Sequence, residues 1–235
     1  MELLKQTLYD TYKNLVFDEE KHQYTYFKVR LTPVSNVVNK FCIPFDKNKI
    51  ALFTAKKTGK KPIEVIAEWD NIGKAASELG TKVHLFAENW TKESIPTSII
   101  EEGVCNYFNK YEQIRGDLIP LLKEFRMFSK QLLIAGTTDR VDFNTITGEY
   151  TIIDYKTNKD LYKNYKGQKL LYPFDDLLDC PFNKYQIQLS LYDILFQKTG
   201  NKVKDRKIVW FKHNGEYEVI ECENYTDRLN DYFNK

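Results

Sequence analysis

The four cysteines of this chain, Cys42, Cys105, Cys180 and Cys222, lie far apart, and none belongs to a C-x-x-C pair. That spacing offers no local zinc site and no clustered iron–sulfur motif, so the thiols read as reduced and structural. Long apolar runs are missing too: no stretch reaches the roughly 18 residues a membrane span needs. The opening residues, Met1 to Asp10, are amphipathic and lack the apolar centre of a signal peptide, so a cytoplasmic protein is expected. No G-x-x-x-x-G-K-[ST] occurs, so no nucleotide-driven motor is expected. Internal repeats and low-complexity segments are also absent. A large charge of either sign is lacking: 35 Lys and Arg face 33 Asp and Glu, for a net +2. Overall charge therefore does not announce a polyanion binder, although two lysine-rich stretches exist. One holds Lys47, Lys49, Lys56, Lys57, Lys60 and Lys61; the other holds Lys156, Lys159, Lys163, Lys166 and Lys169. Each reads either as a solvated face or as a track for phosphates.

What is present suits one globular domain. At 235 residues, with 42% hydrophobic and 29% charged, the chain can bury a substantial core. Aromatics reach 14%, and 16 are Tyr, which bridges core and wet surface. The pattern predicts a helix over 1–14, a hairpin over 16–27, and a short helix capped by Ser35 and running through Val37, Val38 and Phe41. A long helical pattern covers 63–90, interrupted by Gly73 and Gly80, which allow two helices in its place. Another helix is expected over 99–114 and a strand over 125–134. Two strand-like runs around Asp139 and Asp154 come next, followed by a lysine-rich loop to Asp179. A helix over 185–198 should stop at Thr199 and Gly200. Strands at 208–211 and 217–220 flank the turn signal Asn214-Gly215, and the last dozen residues read as helix. The expected fold class is α/β, a central mixed β-sheet flanked by helices, with an N-terminal helix and hairpin.

Chemistry concentrates in Gly136-Thr-Thr-Asp139-Arg-Val-Asp142 and in Ile153-Asp154-Tyr155-Lys156-Thr157. Side chains alternate along a strand, so Asp154 and Lys156 share a face and Tyr155 takes the other. An acid beside a lysine suits metal-assisted phosphodiester cleavage: the acid holds a hard cation, and the ammonium orients water or offsets charge. Asp139 and Asp154 are each placed at a strand end, where two carboxylates can converge on one ion. The alternative for Asp139 is a turn acid bonded to Arg140 or to backbone, and for Lys156 a surface lysine. Asp142 reads as structural.

Four patterns in order, Gly80-Thr-Lys-Val-His84-x-x-x-Glu88, Gly136-Thr-Thr-Asp139, Ile153-Asp154-Tyr155-Lys156 and Gln188-Leu-Ser-Leu-Tyr192, resemble the PD-(D/E)xK nuclease superfamily in its RecB-like exonuclease branch, which a Q-x-x-x-Y helix marks. The resemblance spans roughly residues 80 to 195. It implies a restriction-endonuclease-like core, with His84, Asp139, Asp154 and the Tyr155 carbonyl as ligands of catalytic Mg²⁺ or Mn²⁺, one ion or two. It implies Lys156 as the residue that positions or activates water. Gln188 would bond near Lys156 or a phosphate, and Tyr192 would touch the DNA backbone. Glu88 and Glu124 are candidates for orienting His84 or holding a second metal. Helix or loop acids with no such role are the alternative.

The chain is accordingly expected to be one nuclease domain, 1–235, with residues 1–62 as an accessory segment and 63–235 as core. The expected activity is an exonuclease on DNA ends or single strands, in replication, recombination or repair. The rivals are a structure-specific endonuclease and a catalytically inactive DNA-binding module. The N-terminal hairpin resembles the leading segment of phage and organellar members of this group. It either stacks on bases or packs on the core. No iron–sulfur cluster is expected, nor a membrane partner. A helicase or single-strand-binding protein is a possible partner, and the location is the cytoplasm or another intracellular compartment holding DNA.

Overall fold

In the computed structural model, which describes residues 1–197 and 200–235, helix α1 (Glu2–Thr11) leads into a three-stranded meander. Its strands are β1 (Leu15–Asp18), β2 (Gln23–Tyr26) and β3 (Val29–Pro33). Tyr24 and Leu31 turn inward here and join the main core, while Phe17 stacks on Tyr24 with ring centroids 4.4 Å apart. The sequence reading ended this unit at the second strand. The third was missed because Val29–Pro33 is short and ends on a proline, which demotes a strand assignment. Helix α2 (Val34–Asn39) follows at once, with Pro33 rather than Ser35 at its N-cap position.

Helix α3 (Lys47–Thr58) is also new, since its apolar stripe is weak; the Asp46 carboxylate caps it by accepting from Lys49 N at 3.0 Å. It carries part of the first lysine-rich stretch. Lys47 pairs with Asp70 and Lys60 with Glu68, so that stretch is partly neutralised. Helix α4 (Pro62–Glu88) runs unbroken through Gly73 and Gly80 for 27 residues. Each interior glycine weakens a helix by only about 1 kcal/mol, which flanking turns absorb. Helix α5 (Ile99–Ile114) fits its expected bounds, with Ser98 Oγ accepting from Glu101 N.

Strands β4 (Leu118–Ser129), β5 (Ile134–Asn144) and β6 (Tyr150–Lys156) come next. The expected strand over 125–134 straddles the turn between the first two, because apolar residues stand on both sides of the polar Ser129-Lys130-Gln131 and no glycine or proline marks the break. Helix α6 (Pro181–Gln197), strands β7 (Val203–Phe211) and β8 (Tyr217–Glu221) and helix α7 (Thr226–Phe233) complete the described chain. Of the expected stop signal for α6, Lys198 and Thr199 lie outside the described residues.

Together the strands form an eight-stranded mixed sheet in the order β1-β2-β3-β5-β6-β7-β8, with β4 on the other edge of β5. Alternation along the strands loads both faces. Ile152 and Ile208 face the core that holds α6, while Ile153, Tyr155, Val209 and Phe211 face α4 and α5. Helix α6 is buried nearly all round, from Gln186 to Phe196. Among the described residues, no helix is long and apolar enough to cross a membrane.

One feature of the sheet positions the site. Along one edge of β5, β3 pairs only with Ile134 and Ala135, and β6 pairs only from Arg140 onward. Gly136 to Asp139 therefore lie in the fork where β3 and β6 diverge, with β4 closing the opposite edge. Along the fork edge these residues are free of ladder bonds to β3 and β6 and open to other partners.

Candidate active site

Asp139 sits mid-strand in β5, not at a strand end as expected, and the fork gives it the same opening. In the antiparallel register Arg140 faces Ile153, so the next step brings Asp139 beside Asp154. The Tyr155 amide donates to Asp139 Oδ2 across this gap. Asp139 Oδ1 takes the other partner, His84 Nδ1 of α4, at 3.0 Å. Burial works against the Asp139 charge, but His84, Lys156 and the amide bond outweigh it and hold the carboxyl below its ordinary range. For His84 burial favours the neutral ring, yet Asp139 wins and its pKa is raised.

Glu124 enters from β4. Its carboxylate, that of Asp139 and the His84 ring bring their ligand atoms within 4.8 Å of one another. Burial, reinforced by the negative charge of Asp139, pushes the Glu124 carboxyl up to about 8. The residue pays for its placement in backbone strain: its φ is 45°, left-handed, in the middle of a strand. Such a conformation in a non-glycine residue typically costs about 1–3 kcal/mol and clusters at functional sites. Glu88, one turn beyond His84, stays outside this trio, though its charge reaches Glu124.

Asp154 and Lys156 pair on one face of β6, with side chains 4% and 13% exposed. Burial lifts the Asp154 carboxyl to about 6, against the pull of Lys156. The Lys156 ammonium is itself penalised by burial, and Asp154 more than restores it, so it holds its proton above the ordinary range. The Lys156 Nζ also sits over the Tyr185 ring, 4.3 Å from its centroid, and the Tyr185 hydroxyl donates to Asn158 Oδ1 at 2.9 Å. Tyr185 went unremarked in the sequence. Its position three residues before Gln188 and seven before Tyr192, all on one helical face of α6, was the available signal.

Gln188 was expected to bond near Lys156 or to a phosphate, and in this structure it has a partner on its own helix. Its Nε2 donates to the Tyr192 hydroxyl at 2.8 Å rather than bonding at Lys156, because the i,i+4 spacing on a helix makes that partner the nearest acceptor. Asp142 is buried away from the trio, bound by Arg140 and by the Tyr111 hydroxyl at 2.7 Å, in keeping with a structural role. The four cysteines are free thiols.

An imidazole and three acids around a protonated lysine, at a fork in a mixed sheet, form an arrangement that can bind a hard cation and neutralise a phosphate. Residues 55–229 match the PD-(D/E)XK nuclease superfamily. The chain belongs to that superfamily. Phosphodiester hydrolysis with a divalent metal is the activity that membership implies. A search of curated proteins gives no match. Among solved structures, the crystal structure of SSO0001 is similar at a TM-score of 0.39 and 12% identity, over 99% of this chain and 84% of that one. That likeness is weak.

Proposed function

We propose that this PD-(D/E)XK protein is a Mg²⁺- or Mn²⁺-dependent deoxyribonuclease of the RecB-like branch, acting as an exonuclease on DNA ends or single strands. The observation that carries the reading is the convergence of His84, Glu124 and Asp139 beside the Asp154–Lys156 pair. The donor set fits such an ion: carboxylate oxygens with one imidazole suit a hard or borderline divalent cation. Asp154 Oδ2 is buried against the Lys156 ammonium, which leaves the carboxylate's remaining lone pairs as donors for a cation.

In this reading His84, Asp139, Asp154 and the Tyr155 carbonyl hold the ion, and Glu124 joins them or holds a second one. A bound ion there would lower the pKa of a water ligand and offset charge on the phosphoryl oxygens. The chain's own residues do the rest. Asp139, fixed by His84 and the Tyr155 amide, presents an ionised carboxylate. Lys156, paired with Asp154, would position or activate the attacking water and offset charge on the phosphate. Tyr185 and Asp154 fix the direction of that ammonium. Glu88 tunes Glu124 or His84 through its charge. Gln188 aims the Tyr192 hydroxyl, and the pair would contact the DNA backbone, which is the role that the Q-x-x-x-Y pattern implies. The products would be a 5′-phosphate and a 3′-hydroxyl. We treat residues 1–62 as accessory to a single nuclease domain, working in replication, recombination or repair in an intracellular compartment. A helicase or single-strand-binding protein would supply its single strands.

End-labelled single- and double-stranded DNA, with Mg²⁺, Mn²⁺ or EDTA, tests this. Stepwise shortening with metal and none with EDTA is the expected result. Cleavage of circular single strands at the same rate as linear ones would reject the exonuclease assignment.

A further inference from the structure

The segment that follows Lys156, residues 157–169, lies against the first turns of α6 and the end of β7. It is fastened to both. The Tyr185 hydroxyl donates to Asn158 Oδ1, Trp210 Nε1 donates to Asn158 O at 2.7 Å, and Phe182 N donates to Leu161 O at 2.8 Å. Leu161 is fully buried in the main core. Further along, Asn164 Nδ2 donates back to Gln168 O and Asp179 O, each at 2.8 Å. This strap is therefore held in shape from the inside, and a rigid scaffold fixes what it turns outward.

The outward side chains are cationic and aromatic. Four exposed lysines, Lys159, Lys163, Lys166 and Lys169, stand against one acid, Asp160, whose carboxylate accepts from Tyr162 N at 2.8 Å. Lys159 and Lys163 have no ion-pair partner among the described residues. Tyr162, between these two in sequence, is 51% exposed. Its ring centroid lies 5.2 Å from that of Phe182 and 6.4 Å from that of Trp210. Both neighbours lead to the candidate active site. Phe182 is one helical turn before Tyr185, whose ring lies against the Lys156 ammonium, and Trp210 stands opposite Lys156 in the β6–β7 register. Lys212 covers the Trp210 ring and pairs with Glu218 at 2.9 Å, so that ring is shielded and that charge offset, whereas half of Tyr162 faces solvent. Lys159 is three residues from Lys156, which limits their Cα separation to about 11 Å. Free cations beside an open aromatic ring are how proteins hold unpaired strands without reading sequence. We propose that the strap is a track for the strand being cut: Lys159 and Lys163 take backbone phosphates next to the scissile one, and an unpaired base stacks on Tyr162. The proposal rests on the nuclease reading above and adds to it a surface that selects single-stranded substrate.

The test uses Lys159→Ala/Lys163→Ala, Tyr162→Leu and Tyr162→Phe in the full chain, all three positions being exposed. Binding of a fluorescent single-stranded oligonucleotide is followed by anisotropy in Ca²⁺ over a range of salt. Hydrolysis of thymidine 5′-p-nitrophenyl phosphate, too short to follow the strap, is followed in Mn²⁺. The double variant should lose affinity roughly tenfold, and its slope of log affinity against log salt should be shallower by about 1.4, for two phosphate contacts at about 0.7 each. Tyr162→Leu should lose about fivefold or more with the slope unchanged, and Tyr162→Phe, which keeps the ring, should bind as wild type does. Hydrolysis of the small ester should stay within twofold of wild type in all three. If the ester is not a substrate, the cleavage rate at saturating oligonucleotide serves in its place. Unchanged affinity and slope in the double variant would overturn the proposal, as would a Tyr162→Phe variant as weak as Tyr162→Leu or an equal loss on both substrates. If the double variant does not fold, Lys163→Ala carries the same test with half the slope change. Should the wild type hydrolyse neither substrate, the nuclease reading fails, while the binding arm still decides the strap.

Discussion

At the scale of the residue, the site is a balance of buried charges in which each group depends on its neighbour. Removing Lys156 leaves Asp154 buried without its counter-charge, and breaking such a pair typically costs about 3–5 kcal/mol. Lys156 keeps some exposure, so the lower end applies. Lys156→Ala should abolish cleavage and lower Tm by roughly 6–12 °C, at about 2–4 °C per kcal/mol for a chain of this size. Asp154→Asn should abolish cleavage with a smaller thermal cost, because it removes a carboxylate that burial already disfavours. Retention of near-full activity by Lys156→Ala would show its role to be wrong.

Glu124 gives a pH signature. Its pKa of about 8 in the folded protein lies above its ordinary value of 4.5, so between these the folded state holds a proton that the unfolded state has lost. Stability without metal must therefore fall as pH rises through that window. His84, also raised, acts in the same direction. A series of melts in EDTA should show Tm declining from pH 5 to 8. Glu124→Gln, which cannot ionise, should flatten the decline and raise Tm at pH 8. A wild-type profile that rises with pH would contradict the assignment.

At the scale of the element, the fork along β5 is what turns a strand into a site. Gly136 lies at its closed end, where α2 and α6 press on the backbone: an added Cβ would meet Tyr192 at 2.6 Å and Val34 Cγ2 at 2.9 Å. Gly136→Ala should thus destabilise by about 1–3 kcal/mol, the usual cost of overpacking, and should displace Tyr192, with loss of activity. Gly73 is the opposite case. It sits inside α4 with nothing within 4 Å of a Cβ position. Gly73→Ala should raise stability by about 1 kcal/mol without touching cleavage. Denaturant melts of the two variants should move in opposite directions.

For the whole molecule, the relevant test is linkage. Two carboxylates, Glu124 and Asp139, that repel each other when ionised, with an imidazole beside them, should gain stability when a cation joins them, by an amount that grows with ion concentration. Mn²⁺ should raise Tm, EDTA should reverse it, and the gain should be larger at pH 8 than at pH 6, where Glu124 competes as a protonated acid. No shift at millimolar Mn²⁺ would remove the metal site.

Much of this architecture is legible in the chain because period and punctuation are local. The apolar spacing of α5, the long stripe of α4 and the alternation in Tyr150–Lys156 follow from how side chains project from a helix or a strand. So does the shared face of Asp154 and Lys156. The meander's third strand, the lysine-rich α3 and the turn between β4 and β5 escaped, since their local signals were weak or ran across a boundary. What the residues could not disclose is long-range. Glu124 and Asp139 meet through strand pairing, at a strained φ that no pattern announces. Tyr185 meets Lys156 only once α6 is laid against the sheet. Residue types and their order determined which chemistry this protein carries; the divergence of β3 from β6, which frees one edge of β5 from its ladder, decided where that chemistry assembles.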